Sequence, residues 1–586
     1  MMFTEERKLV ETKINAYLQT EGIENPALEI RQIPFSGEWG MAVPLFPVAA
    51  GEARAGKKVI VPKRAQELAE GIKNDLEGTL AGFSHIEAVN GYLNLYFSTS
   101  QYAQRVVDQV LFAGKDYGRG EIRDETVMVE YSQPNTHKSF HVGHLRNVIL
   151  GGSVCRLLEF AGYDVIRANY LGDIGLHVVK WMWNYLKNHA GEVPGENKTH
   201  WMNEIYAEAD RLFQEPENEA EVRALYAQWN AKDPEVVALW KKTRQWSLEG
   251  FQQIYDQLGE DFDKIYFESE VEDPGTVLVE KMIKEGIAQD ARPDEPVFID
   301  LDAIAGTEDE YRVLVVLRSD GSSLYATKDL PLAIQKFEEY DLDKSIYVID
   351  VRQSLYMKQI FKTLSILGYE WSDKLYHLAY ELVNLPGNVT MASREGTVVL
   401  FDDLMSEATK RAREIVEQKN PELSEIEKDT IAEAVALGAL KYTMLSRDNT
   451  KVVTFDWESA LDFNGQAAPY IQYAHVRAGS ILRKAEVGSS EAVEFPNELE
   501  KAEVDLIELM TRLPLEVLRA AEEYRPLVIA NLAYDLAKAF NDFYNTCHVL
   551  NAEPEVRAYR LRLVAAAQQV IATSLNLLGI KSPSTM

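Results

Sequence analysis

The sequence predicts an α/β fold with a parallel sheet, preceded by a small α+β unit and followed by an all-α region. Residues 126–180 alternate between strand and helix, with an apolar strand at 126–131, a helix that begins near Val142 and a second strand at 164–169. Two strands joined through a helix form a βαβ unit, and such units build parallel sheets. From about 424 onward, apolar residues recur three and four positions apart, which is typical of packed helices.

The same patterns place the other elements. Apolar or alternating runs at 58–61 and 91–97 predict strands in the N-terminal unit. The composition between 181 and 300 predicts mostly helix, inserted into the sheet domain. After this insertion, strand patterns return at 312–317, 345–349 and 376–383.

These elements divide the chain into four regions. We expect an α+β unit at 1–118, the parallel-sheet domain at 119–400, a helical connection at 401–459 and an α-helical domain at 460–586. The insertion, about 181–310, carries −18 of the formal net charge of −31. Such acidic blocks usually form a solvated face and are poor contacts for a phosphate backbone.

Composition excludes several classes of protein. The chain has 586 residues, of which 46% are hydrophobic and 26% charged, so wholesale disorder and a collagen-like fibre are ruled out. Two cysteines, Cys155 and Cys547, cannot form a disulfide framework or a cysteine-rich zinc site, and no metal site is expected. No secretory signal and no apolar run of about 18 residues is present, so we expect a soluble cytoplasmic protein without a membrane span.

The string His141-Val142-Gly143-His144 lies where the first predicted strand's loop meets its helix. Two imidazoles three residues apart at a helix start share one face, and the unpaired N–H groups there favour anions. Gly143 lets a bulky planar group approach the backbone. The arrangement suits a triphosphate, although chance surface or core histidines could produce the same short string.

Several strings, in order along nearly the whole chain, resemble class I aminoacyl-tRNA synthetases, and arginyl-tRNA synthetases in particular. The histidine string resembles the first signature of that class. The resemblance implies a Rossmann-like catalytic domain, an N-terminal domain that touches the tRNA and a helical anticodon-binding domain. The strings are EYSQPN (130–135), FHVGHLR (140–146), YLGDIG (170–175), RSDG (318–321), QYAHVR (472–477) and LGI (578–580).

The second signature of the class, a lysine-rich loop that grips the ATP phosphates, is degenerate here. The matching residues 390–396 read TMASREG, so Arg394 is the loop's one cation, and Met391 and Ser393 are the expected ATP contacts. Many arginyl enzymes instead carry a lysine before the first signature, and Lys138 stands there. An ammonium near the α-phosphate would stabilise charge in the transition state. An ordinary exposed lysine is the alternative for Lys138.

An arginine substrate needs a carboxylate, since a planar two-oxygen acceptor matches the guanidinium fork. The resemblance implies that Asp329 pairs with the guanidinium and that Tyr325 forms a wall of the pocket around it. Asp329 could instead be a first-turn helix acid favoured by the dipole. The other residues expected in this pocket are Asn135 and Gln353 for the α-amino and carboxylate ends, Glu130 for the ammonium (or as a structural partner of Arg146 or Arg167), and Asp173.

The C-terminal region is expected to read the anticodon loop. Splayed RNA bases need aromatic stacking and polar edges. The candidate residues for this contact are Tyr473, His475, Arg477, Tyr534, Tyr544 and Asn545. Each aromatic residue, taken alone, is more often part of the helical core than an RNA contact.

The resemblance therefore implies ATP, L-arginine and tRNA(Arg) as substrates, Mg²⁺ accompanying ATP, and a monomer. Two other interpretations stay open on the sequence. A nucleotidylyltransferase could share the histidine signature without handling tRNA, and a non-catalytic paralogue could bind RNA with a degenerate second loop.

Overall fold

The computed structural model describes residues 4–24, 26–306, 310–385, 389–390, 399–485 and 493–586. It divides into two compact units. Unit 1 comprises Met1–Gly118, Tyr473–Glu516 and Leu532–Ser574, and unit 2 comprises Arg119–Gln472, Val517–Asn531 and Leu575–Met586.

The N-terminal part of unit 1 is an antiparallel sheet with helices. Its elements are α1 (Thr4–Thr20), β1 (Arg31–Gln32), β2 (Gly40–Pro44), α2 (Phe46–Arg54), α3 (Val61–Leu76), β3 (Phe83–Val89), β4 (Tyr92–Phe97) and α4 (Thr99–Ala113), with the sheet order β1-β2-β4-β3. The strand predicted at 91–97 is confirmed as β4. Asn90 and Gly91 both have positive φ, as a two-residue hairpin between β3 and β4 requires.

The strand predicted at 58–61 is wrong, because Val61 is the first residue of α3. Pro62 occupies the first turn of that helix, where its fixed φ fits and its missing N–H is not needed. The apolar run there begins a helix and forms no strand.

Unit 2 is built on a five-stranded sheet. Its elements are β5 (Thr126–Glu130), α5 (Val142–Phe160), β6 (Asp164–Leu171), α6 (Leu176–Asn188), α7 (Lys198–Leu212), α8 (Pro216–Asn230), α9 (Pro234–Leu258), β7 (Lys264–Phe267), α10 (Glu268–Lys284), β8 (Gln289–Asp290), β9 (Val297–Asp300), α11 (Leu301–Ala305), β10 (Val313–Leu317), α12 (Tyr325–Glu339), β11 (Lys344–Asp350), α13 (Ser354–Ile366), β12 (Leu375–Tyr380), β13 (Val383–Leu385), β14 (Val389–Thr390), α14 (Phe401–Lys419), α15 (Glu425–Leu445), β15 (Val453–Thr454) and α16 (Trp457–Ala460).

The sheet order is β12-β11-β5-β6-β7, and every neighbouring pair is parallel. From β5 the chain builds outward first through β6 and later, on the other side, through β11. The carboxyl ends of β5 and β11 thus flank a topological switch point, where open α/β sheets bind their ligands. The predicted parallel-sheet fold is confirmed.

Two parts of the predicted sheet domain differ in the structure. The region between 181 and 300 is helical through α9, but β7 then returns to the parallel sheet as its edge strand. The apolar run at 312–317 forms β10 in a separate antiparallel sheet with β9 and β8. In β10, Val313 and Val315 are exposed while Leu314 and Val316 are buried, a one-sided burial that suits an antiparallel sheet.

Four long helices complete the chain: α17 (Ala468–Ala485), α18 (Lys501–Glu522), α19 (Leu527–Thr546) and α20 (Pro554–Leu577). Their middle portions contribute fully buried side chains to unit 1, such as Leu513, Phe540 and Val564. In the described residues, no helix combines the length and apolarity that crossing a membrane requires.

The segment after residue 574 belongs to unit 2. The Lys441 ammonium donates to the carbonyls of Leu258 and Gly579, both at 2.6 Å. The Ser153 hydroxyl donates to the Leu577 carbonyl at 3.0 Å. These bonds attach the end of α20 and the residues after it to α5, α9 and α15.

Candidate active site

A cavity of about 300 Å³ lies at the switch point of the parallel sheet. Its walls come from the loop after β5, the first turns of α5, and the ends of β11 and β12. The lining residues are Ser132, Gln133, His141, Val142, Gly143, His144, Arg146, Asn147, Ile349, Asp350, Arg352, Gln353, Tyr380, Leu382 and Val383. Of the predicted site residues, His141, Gly143, His144 and Gln353 meet here.

The loop between β5 and α5 is held in an unusual backbone conformation. Ser132, Gln133 and His137 all have positive φ, which costs conformational energy for residues with a side chain. The amide of Ser132 donates to Asn147 Oδ1 at 2.7 Å, and that of Gln133 donates to Asn169 Oδ1 at 3.1 Å. These contacts hold in place the loop that carries residues predicted to bind ATP and arginine.

The two signature histidines cap α5. His141 Nδ1 accepts the amides of Gly143 (3.1 Å) and His144 (3.4 Å), and His144 Nδ1 accepts the amide of His141 (3.3 Å). The rings stack with centroids 3.8 Å apart. Burial lowers the pKa of both imidazoles. Both are therefore neutral at pH 7, and since each Nδ1 accepts a bond, each Nε2 carries the proton and can donate to a ligand.

Gly143 is explained by the same cap. A Cβ at this position would lie 2.9 Å from Cε1 of His141, closer than side-chain atoms pack. The glycine therefore lets the His141 ring fold over the helix start.

Lys138 lies in the same loop but not among the residues that line the cavity. Its ammonium is 5.6 Å from the ring centroid of Tyr206 on α7. Burial lowers the pKa of Lys138, with a smaller contribution from Lys180. Its positive charge in turn contributes to the lowered pKa of His141 and His144, so it is electrostatically coupled to both.

Arg394, Met391 and Ser393, the expected contacts from the second loop, lie outside the described residues.

Four carboxylates cluster beside the cavity, and three of them have a cation. Glu130 pairs with the fully buried Lys336, Glu268 with Lys328 at 3.3 Å, and Asp173 with Arg244 at 2.7 Å. Glu130 also accepts from Gln133 at 2.7 Å, and Asp173 from the amide and hydroxyl of Ser269. The Lys336 pairing differs from the partners Arg146 and Arg167 that the sequence suggested for Glu130.

Asp329 is the carboxylate without a cation partner in the described part of the chain. It accepts a hydrogen bond from the Tyr356 hydroxyl. Burial raises the pKa of Asp329 to about 7, with further contributions from Glu130 and Glu268. No described cation forms an ion pair with Asp329, although the charge of Lys336 lowers its pKa, so the cluster can take up one guanidinium.

The remaining predicted arginine contacts are spread around this cluster. Asn135 forms a backbone bridge with Gly172, and its Oδ1 would lie 2.1 Å from a Cβ placed on that glycine. Tyr325 is 67% exposed, and it lies at the start of α12 near Lys328. Tyr356 and Lys336 are not among the predicted site residues, because their positions depend on how distant helices pack. Arg146 is considered there only as a partner of Glu130.

In unit 1, the predicted RNA-contacting residues include one compact group. The Arg477 guanidinium lies 4.8 Å from the ring of Tyr473 and 4.7 Å from that of Tyr544, and it donates to Asn541. Tyr544 is 43% exposed, and Asn545 beside it is also exposed. His475 is buried, and Tyr534 lies ten residues before Tyr544 on α19.

Comparison with known families agrees with this fold and site. Residues 106–457 match the family described as tRNA synthetases class I (R), catalytic domain, and residues 471–586 match the DALR anticodon binding domain. The solved arginyl-tRNA synthetase of Thermus thermophilus is similar over 100% of both chains, with a TM-score of 0.74 and 27% identity. The arginyl-tRNA synthetase of Plasmodium falciparum shares the fold, with a TM-score of 0.72, 20% identity and 99% of each chain covered. Fold and site thus define a class I tRNA synthetase.

The particular family follows from similar sequences. The arginine–tRNA ligase of Clostridium perfringens is 36% identical over 98% of both chains. That of Treponema pallidum is 34% identical over 96% of this chain and 95% of its own. The chain belongs to the arginine–tRNA ligase family, and the resemblance seen in its motifs is confirmed.

Proposed function

We propose that this chain joins L-arginine to tRNA(Arg) in two steps. The arginine carboxylate attacks the α-phosphorus of ATP, so that pyrophosphate leaves and arginyl-adenylate forms. A hydroxyl at the 3′ end of the tRNA then attacks the arginyl carbonyl, and AMP leaves. The carboxylate of Asp329, which has no ion-pair partner among the described residues and lies beside a helix-capped cavity, is the observation that carries the proposal.

The phosphates are assigned to the start of α5. The Nε2–H groups of His141 and His144 would donate to phosphate oxygens, and the positive end of the dipole of α5 favours the same anion. Lys138 would add positive charge as the transition state forms. Because the step is displacement at phosphorus, the protein contributes position and electrostatics, and no covalent enzyme intermediate is needed.

The arginine side chain is assigned to Asp329, with Tyr356 orienting the carboxylate. Glu130, Asn135 and Gln353 stay the proposed contacts for the polar ends of the substrate. Mg²⁺ would arrive with ATP, held largely by phosphate oxygens. Among the described residues, no group of three or more histidine, cysteine or acidic side chains is placed to hold a metal ion.

The tRNA contacts, the monomeric state and the cytoplasmic location stay predictions. We assign the anticodon loop to the group around Arg477, since aromatic and guanidinium planes stack on unpaired bases. Sedimentation of the purified chain and cell fractionation test the other two.

Charging of total tRNA with each of the twenty amino acids tests the function directly. Arginine alone should be joined to tRNA. Pyrophosphate exchange, measured with and without tRNA, separates the alternatives. A nucleotidylyltransferase would exchange without arginine or tRNA, and a non-catalytic paralogue would not exchange at all. His144→Ala should lower the exchange rate about a hundredfold with the fold retained, since one strong donor to the transition state is lost.

A further inference from the structure

Arg146 is a buried cation that the mechanism above does not use. It lies on α5, one turn after the histidine cap, and is 1% exposed. None of its three guanidinium nitrogens has a hydrogen-bond partner in the described structure. Buried arginines normally satisfy several of their donors, so this side chain lacks a partner that its surroundings should supply.

The neighbouring groups do not supply that partner. Asp350, the acidic residue that lines the same cavity, uses both carboxylate oxygens on Arg352, at 2.8 and 2.9 Å. Tyr380 accepts from the Asn147 amide at 3.3 Å. Burial lowers the pKa of Arg146 to about 10, so the guanidinium still carries its charge at neutral pH.

Helix geometry directs Arg146 toward the cavity. Arg146 follows Val142 by four positions and Gly143 by three, so it is a neighbour of both on the surface of α5, and all three line the cavity. Side chains on a helix lean toward its N-terminus, and an arginine is long enough to reach back about one turn. Tyr380, which lines the same cavity, interacts electrostatically with the Arg146 guanidinium.

We propose that Arg146 is a substrate-binding residue that donates to a phosphate oxygen of ATP. This inference rests on the proposed function and adds a third positive or donor group to the site formed by His141 and His144. A phosphate would satisfy several guanidinium donors at once and would offset the buried charge. In this arrangement ATP completes a polar group that the protein alone leaves incomplete.

The test compares Arg146→Met and Arg146→Lys with the wild-type chain in arginine-dependent pyrophosphate exchange. Arg146→Met should raise the KM for ATP ten- to a hundredfold, with the KM for arginine within about twofold. Arg146→Lys keeps the positive charge but loses the planar, two-pronged donor geometry of the guanidinium. It should raise the KM for ATP less than Arg146→Met does. Arg156→Lys is the control, since Arg156 is on the same helix but pairs with Glu260, and its KM for ATP should not change.

Thermal unfolding separates binding from a structural role. Without ligand, Arg146→Met should have a Tm equal to or above that of the wild type, since an unpaired buried charge is removed. ATP should raise the Tm of the wild type but not of this variant, whereas adenosine should raise both equally.

Three results would overturn the inference while leaving the proposed function intact. They are an unchanged KM for ATP in Arg146→Met, an equal loss of the adenosine and ATP effects on Tm, and a lower ligand-free Tm in both variants. Failure of the wild-type chain to exchange pyrophosphate with arginine, both with and without tRNA(Arg), would instead reject the proposed function.

Discussion

The groups around Asp329 make its carboxyl group suitable for binding a planar cation, the role that we propose for it. Glu130, Glu268 and Asp173 each pair with a cation, whereas Asp329 forms an ion pair with none of the described cations. Burial holds its pKa near 7, far above the ordinary 3.8. A bound guanidinium would lower that pKa again by pairing with the ionised form. Substrate binding and deprotonation of Asp329 are therefore linked.

This linkage predicts a pH dependence. Below pH 7 the free enzyme holds a proton on Asp329 that arginine must displace, so the KM for arginine should rise about tenfold per pH unit. Above about pH 8 the KM for arginine should no longer change with pH. Burial lowers the pKa of both histidines at the proposed ATP site, that of His144 strongly, so their titration lies below that of a free imidazole. Pyrophosphate exchange from pH 5.5 to 8.5 at saturating ATP measures the profile.

Tyr356→Phe provides the matched variant for that measurement. The Tyr356 hydroxyl stabilises the ionised carboxylate and so lowers the pKa of Asp329. Its removal should move the rise in KM to higher pH. A KM for arginine that is independent of pH in both proteins would contradict the assignment of Asp329 to the guanidinium.

The loop between β5 and α5 holds several of the residues to which we assign the ATP chemistry. It carries Lys138 and leads into the histidine cap. Lys138→Met should lower kcat for adenylate formation about a hundredfold or more with little effect on the KM for arginine, the pattern of a contact made mainly in the transition state. Single-turnover adenylate formation measures it.

Lys180→Met is the control for Lys138. Lys180 pairs with Asp210 and lowers the pKa of Lys138, so its loss removes a nearby charge without removing the proposed contact. Its kcat should stay within a few fold of the wild type. A nearly silent Lys138→Met together with a severe Arg394→Ala would mean that the second loop provides the charge instead.

The pair α17 and α19 presents the proposed RNA contacts. Arg477→Leu removes the guanidinium between Tyr473 and Tyr544. It should weaken tRNA binding about ten- to a hundredfold, since stacking on one base contributes about 1–3 kcal/mol. Filter binding of tRNA(Arg) measures this, and Lys484→Ala, on the exposed end of α17, should bind normally. Equal binding by both variants would remove this group from the interface.

Secondary-structure elements could be predicted from the sequence where the hydrophobic pattern that defines them is local. The strands β5, β6, β11 and β12 lie in apolar runs, and the histidine motif needs only a strand, a loop and a helix start. The edge strand β7 was missed because it has four residues, of which only Tyr266 is buried. Tyr356 stands 27 residues from Asp329 on another helix, so only tertiary packing brings the two together.

The whole chain is strongly acidic, with a formal net charge of −31. The largest share of the charge lies at 181–310, on α6 to α10 and the strands after them, which makes that surface repulsive to tRNA phosphates.

The two compact units do not follow the order of the sequence. Residues 517–531 and 575–586 belong to unit 2, whereas the sequence predicts a single continuous anticodon-binding domain from 460 to 586. Deleting 460–586 would therefore also remove parts of the unit that holds the ATP site.

A shorter truncation tests this division. Removing 575–586 exposes the partners of Leu575, Leu577, Leu578 and Ile580, all at most 3% exposed, and removes one acceptor of Lys441. Burial of four such side chains contributes about 6 kcal/mol or more. Thermal unfolding should show a large fall in Tm, with pyrophosphate exchange lost, whereas removal of residues 585 and 586 should change neither. Full exchange activity in the shorter chain would show that unit 2 is complete without this segment.

The attachment of Gly579 and Leu577 to α15 and α5 also constrains the order of events at the ribosome. The histidine cap is translated within the first quarter of the chain, and the last strand of the sheet, β12, ends at Tyr380, about two thirds of the way along. The segment that closes their unit emerges some four hundred residues after the cap. Nascent unit 2 thus has to wait, with Lys441 and its apolar neighbours uncovered, until residue 580 has left the exit tunnel. Premature termination anywhere before that point yields a chain with an intact signature sequence but an unfinished unit, which is the kind of product that chaperones and proteases recognise by its exposed apolar surface.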